Sequence, residues 1–246
     1  MRLPMQQIFL YLLSLTSSLT TEKRFFYSQV EETKQTIEHI FLFKVKENTD
    51  QATIDYLFQE LDNLRAIPGV HSLTTGPVNQ TYSSSSPSLT FGVFFHSRFG
   101  TKEALNAYMN HPQHLKLNHD LTDPLLGDYM LIDWAFHHKE GILPTPQPGS
   151  AMRVTFLKLK EGVKLVESEK MEAFKVVGDE LGRSVDQYTY GENFATSAKG
   201  FSVASLAVFL DVADLEKVGP CEKFAKRLNG KLNYWVEDIL VLDYMV

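Results

Sequence analysis

The chain has 246 residues, 43% of them hydrophobic and 12% aromatic, which suits one or two ordinary globular cores. Its net charge is −6 and its lysines and arginines are scattered, which argues against nucleic acid as a partner. Its single cysteine, Cys221, excludes an internal disulfide framework and a thiolate zinc site.

Residues 1–35 read as an extension or targeting segment. Ile8–Leu15 is apolar but too short to span a bilayer, which needs about 20 residues. Arg2 before it and the serines and threonines after it fit a secretory signal, an organelle transit peptide or an extension with no address. The compartment is therefore left open between cytoplasm, plastid or another organelle, and secretion.

The first unit covers residues 36–138. Ile37–Lys46 alternates as a strand, with Ile37, His39, Phe41, Phe43 and Val45 on one face. Ile40 and Leu42 make the other face apolar too, so the strand is sandwiched. Asp50–Ala66 has helical spacing and stops at Pro68-Gly69. Val70–Thr75 reads as a second strand. Asn79–Ser88 reads as a polar, mobile loop with four consecutive serines. Leu89–His96 is the third strand. Thr101 caps a helix through Met109, and Pro112 interrupts it at His111. A short helix over Gln113–Leu121 and a strand over Tyr129–Phe136 complete the unit.

Residues 139–150 hold three prolines and two glycines and read as a semi-extended linker. The second unit, residues 151–246, repeats the order. Strands are expected at Met152–Lys160, Ser184–Tyr190, Phe201–Leu210 and Val236–Met245, with helices at Val166–Leu181 and Asp214–Leu228. The order β-α-β-β-α-β in each unit is that of ferredoxin-like folds.

The repeat is visible in the residues. "EHIFLFKVKE" opens the first unit and "RVTFLKLKEG" the second; "LIDW" closes the first and "VLDY" the second. With "IPGV" and "AYMNHPQH" in the first unit, this resembles the stress-response A/B barrel, or dimeric α-β barrel, domain. The tandem arrangement is similar to plant members of that family. The resemblance implies an α+β fold of two α/β-barrel domains. Their four-stranded antiparallel sheets would pack face to face as an intrachain pseudo-dimer, with further oligomerisation allowed.

The resemblance also supplies a site. Tyr108-Met109-Asn110-His111-Pro112-Gln113-His114 matches the stretch that carries the acid/base pair of a plant polyketide cyclase in the family. It would make His114 the base and Tyr108 its hydrogen-bonding partner. His39 matches a pocket histidine of the cyclase-like members. A further pocket histidine, early in the third strand, is Phe91 here, a departure that weakens any claim to the same substrate. His111 reads as the residue at a helix end.

The second unit has no histidine, and Arg153 stands where His39 stands in the first. At most one pocket therefore keeps this chemistry. No cofactor is required by the resemblance, although a magnesium ion held by backbone carbonyls occurs in the family. The reading carried forward is a stress- or defence-response protein that binds a small apolar molecule in the first barrel. The alternatives are a cofactor-free cyclase-like enzyme and an interaction module with filled barrels.

Overall fold

The computed structural model describes residues 34–138 and 143–246. The N-terminal extension thus lies outside the described residues, except Lys34 and Gln35, which open the first strand.

The first unit runs β1 (Lys34–Val45), α1 (Gln51–Asn63), β2 (Ser72–Pro77), β3 (Gln80–Ser83), β4 (Val93–Phe99), α2 (Lys102–Met109), α3 (Pro112–Leu117) and β5 (Leu126–His138). The second runs β6 (Ala151–Leu159), α4 (Glu167–Leu181), β7 (Val185–Glu192), β8 (Phe201–Phe209), α5 (Val212–Val218), α6 (Cys221–Leu232) and β9 (Val236–Met245). One antiparallel sheet has the order β2-β4-β1-β5 and the other β3-β9-β6-β8-β7.

Alternation along β1 explains the layers. Ile37 and Phe43 face the helices of their own unit, with Leu57, Leu61 and Leu105. Ile40 and Leu42 face the other sheet and pack with Val154, Phe156, Leu206 and Leu242 of the second unit. The two sheets therefore stack through an apolar layer, and the helices cover the outside. Between β7 and β5 the approach is close. A side chain at Gly191 would come within 2.9 Å of the Ala135 carbonyl oxygen.

One charged cluster crosses the interface. Glu38 is fully buried and accepts from Arg98 Nε at 3.0 Å, His96 Nε2 at 2.6 Å and Thr189 Oγ1 of the second unit at 3.0 Å. Burial alone would raise the Glu38 pKa, but the Arg98 and His96 contacts outweigh it and hold it at about 2. Burial pushes the His96 pKa down, against the neighbouring Glu38 carboxylate, which raises it.

Several sequence expectations are corrected. The segment Asn79–Ser88 is not simply a loop. Its β3 pairs Gln80 with Asp243 and Ser83 with Leu240, so the second sheet has five strands, not four. The reason is that β9 would otherwise present an unpaired edge, and Tyr82 packs into the second unit's core. Two of the four serines clamp a carboxylate with their hydroxyls. Ser83 Oγ donates to Asp238 Oδ2 at 2.8 Å and Ser84 Oγ to Oδ1 at 2.9 Å, and the Ser85 amide adds a bond at 3.0 Å.

The expected helix Asp214–Leu228 is two helices, α5 and α6, broken at Gly219-Pro220. Gly219 has φ +87°, and proline cannot continue a helix. In the first unit, α3 ends at Leu117 and continues as a π turn over Asn118–Thr122. The third strand begins at Val93 rather than Leu89. The described end of the linker is docked, since the Pro144 carbonyl accepts from Arg98 Nη1 at 3.0 Å and Gln187 Nε2 at 3.2 Å.

Candidate functional site

Three elements of the first unit bring the predicted residues together. Thr101 Oγ1 caps α2 by accepting from the Ala104 amide at 3.1 Å. Leu105 and Tyr108, three residues apart, then share the buried face of that helix. His111 caps α3, accepting from the Gln113 amide at 3.3 Å, with Pro112 at the first helical position. His111 is therefore a cap, and the new helix turns His114 inward. β1 supplies His39.

The rings converge. Tyr108 lies 4.6 Å from His114 and 6.0 Å from His39, centroid to centroid. His39 Nδ1 is 2.7 Å from Asp133 Oδ1 on β5, which leaves Nε2 as the ring nitrogen free for another group. His114 Nδ1 lies 3.1 Å from the Met109 carbonyl, so Nδ1 carries the hydrogen and Nε2 is an acceptor in the neutral ring.

Burial pushes the His114 pKa down to about 4, so the ring is neutral near pH 7. Burial pushes Tyr108 up, so its phenol stays protonated. At neutral pH these two offer an O–H donor and a neutral nitrogen acceptor. That pair can bind a polar group on an apolar molecule, or move a proton at one.

These residues line a cavity of about 270 Å3. Its apolar wall includes Phe41, Leu61, Leu64, Phe95 and Leu131. Tyr129, 41% exposed, stands at its open side. Tyr108 is 1% exposed and Thr122 is 2% exposed, and neither hydroxyl has a hydrogen-bond partner among the described residues. Both hydroxyl oxygens are enclosed within the wall itself.

Sequence reasoning missed Asn118 and Thr122, because the π turn that presents them leaves no mark in the hydrophobic spacing. It also missed Ser197, which reaches this cavity from the second unit. Phe91 was expected at the pocket but is not part of its lining. β4 starts after Phe91, and the ring packs in the layer between the sheets.

The equivalent place in the second unit is occupied by a side chain. Arg153 donates to Asp243 at 2.8 Å from Nε and 2.7 Å from Nη2, and to the Gly219 carbonyl at 2.8 Å. Its guanidinium also lies 4.8 Å from the Phe224 ring centroid.

A wider cleft of about 690 Å3 runs between the units, past Phe136, Phe174 and Tyr190. Lys170 pairs with Glu192 at 2.8 Å on its wall, and the site residues lie elsewhere. Among the described residues no group of three or more His, Cys, Asp or Glu side chains could hold a metal ion. Magnesium held by backbone carbonyls would use none of these side chains. No helix among the described residues is long and apolar enough to cross a membrane.

Comparison with known proteins agrees with this architecture. The family model for the stress responsive A/B barrel domain matches residues 37–136. A stress-response A/B barrel domain-containing protein of Arabidopsis thaliana is 34% identical over 215 residues, covering 86% of this chain and 79% of that protein. A second protein of the same description from the same plant is 31% identical over 212 residues, covering 85% of this chain and 96% of its own length. Among solved structures, a monooxygenase candidate from Fusobacterium nucleatum matches with a TM-score of 0.57 at 11% identity, over 87% of this chain and 93% of that one. At that identity the likeness speaks for the fold alone. The plant relatives and the matched domain together place this chain in the stress-response A/B barrel family.

Proposed function

We propose that the protein serves a stress response by binding a small apolar molecule in the first-unit cavity. That molecule would carry at least one hydrogen-bond acceptor. The observation that carries this reading is the cavity itself, where His39, Tyr108 and His114 converge beside the apolar side chains of Phe41, Leu61, Leu64, Phe95 and Leu131. The volume lies close to the lower end of small-molecule sites, about 300 Å3, so the molecule is small.

Native mass spectrometry of the full chain after incubation with a plant metabolite extract tests the reading. A retained small molecule, lost in the Tyr108→Phe/His114→Ala double variant, is expected. Equal retention by both proteins, or none by either, contradicts it.

A second reading is turnover without a cofactor. It is favoured by the His39–Asp133 pair and by the neutral His114 beside a protonated phenol, an arrangement suited to moving a proton at a carbonyl compound. In this reading His114 accepts the proton and Tyr108 donates to the developing enolate oxygen. If the retained molecule is chemically changed by the parent protein, His114→Ala should abolish the change. Conversion at the parent rate by that variant sinks the assignment.

A further inference from the structure

β5 is an edge strand of the first sheet, and that edge is covered by a segment of the second unit. The Leu131 amide donates to the Ser197 carbonyl at 3.0 Å. The Asp133 amide donates to Asn193 Oδ1 at 3.0 Å, and the Phe194 amide donates to the Asp133 carbonyl at 2.9 Å. Both backbone groups of Asp133 are thus held by the second unit, while its carboxylate holds His39 Nδ1 at 2.7 Å.

Asn193 is itself fixed. Its Oδ1 also accepts from the Ala195 amide at 2.9 Å, and its Nδ2 donates to the Ala195 carbonyl at 2.9 Å. The same segment continues to Ser197, which lines the cavity, and to Lys199, which pairs with Asp128 at 2.7 Å. A mirrored arrangement serves the second unit. The Asn79 amide donates to the Asp243 carbonyl at 2.9 Å, and Asn79 Oδ1 accepts from the Met245 amide at 2.9 Å.

We infer that Asn193 is a positioning residue for the first-unit site: it sets Asp133, which sets the tautomer and direction of the His39 ring. The second unit then completes the first unit's pocket, although its own equivalent place is occupied by Arg153. Without the Asn193 acceptor the Asp133 amide is left on an unpaired sheet edge. The carboxylate loses its fixed position, and His39 is no longer held with Nε2 free. This rests on the reading of His39 as a pocket group, but its test needs no ligand. A failed ligand search and a failed positioning role are therefore seen separately.

The test is nitrogen and proton NMR of the histidine rings in the full chain. In the parent, His39 should show a carboxylate-bound Nδ1 proton far downfield. Asn193→Ala should move that resonance upfield or broaden it away, while the His114 ring, held by Met109, stays unchanged. Asn79→Ala, an equal loss on the mirrored edge, should leave His39 alone. If Asn193→Ala fails to fold, Asn193→Gln, which carries the amide one methylene farther, provides the same reading. An unchanged His39 resonance in a folded Asn193 variant overturns the inference. So does an equal change in Asn79→Ala, which would mean general loosening.

Discussion

His39 and Arg153 hold the same position in the two halves of the molecule, each pinned by a carboxylate on the neighbouring closing strand. His39 meets Asp133 at 2.7 Å, and Arg153 meets Asp243 at 2.7 Å. The short ring leaves a cavity above it; the long guanidinium fills the corresponding place and stacks on Phe224. The two halves thus differ at this repeated position in what stands above the closing strand: an open cavity in one, a guanidinium in the other.

Arg153→Ala should cost about 3–5 kcal/mol, because Asp243 would be left buried without its partner. Urea unfolding of the two proteins at pH 7 reads the difference. A loss below about 1 kcal/mol would mean that Asp243 finds water or another donor.

Tyr108→Phe should leave stability unchanged or raise it by up to about 1 kcal/mol, since it removes a hydroxyl that has no protein partner. Thermal unfolding checks this. The same variant should bind an aryl ketone such as acetophenone less tightly, which a ligand-observed NMR titration measures. A marked loss of stability would show that the hydroxyl is structurally bonded.

The His114 pKa of about 4 lies below its ordinary 6.5, so the sign of its pH effect is fixed. Between those values the unfolded chain binds a proton that the folded chain does not. Stability therefore falls as pH drops from 6.5 to 4, by on the order of 2–3 kcal/mol. His114→Leu should flatten that part of the profile. An identical slope in the variant would assign the effect to another group.

Glu38 gives a second window. Its pKa of about 2, against an ordinary 4.5, contributes stability that is present above pH 4.5 and lost as pH falls toward 2. Glu38→Ala should cost about 3–5 kcal/mol at pH 7, by leaving Arg98 buried without its carboxylate. It should also remove the acid-induced loss in that range, as read by urea unfolding at stepped pH. A Glu38→Ala protein as stable as the parent would mean that the cluster is compensated by water.

Much of this architecture is legible in the sequence because it follows from local rules. The two-sided apolar run of β1, the Thr101 cap and the Pro112 break each act within a few residues, and together they deliver His39, Tyr108 and His114 to one place. The parts that were not legible depend on distant partners. β3 is a strand because β9 offers it an edge, and nothing in its four serines says so. Thr122 faces the cavity through a π turn, and Ser197 arrives across the unit boundary. Phe91 was misplaced because the strand begins later than the apolar run suggests, which moves the ring into the layer between the sheets.

Titrating the isotope-labelled full chain with acetophenone and mapping the perturbed resonances tests binding in the first-unit cavity most directly. Binding in the first-unit cavity should shift Tyr108, His114, Thr122 and Ser197 and leave Arg153 and Phe224 unmoved. Shifts at Arg153 and Phe224, or none around Tyr108, would contradict it.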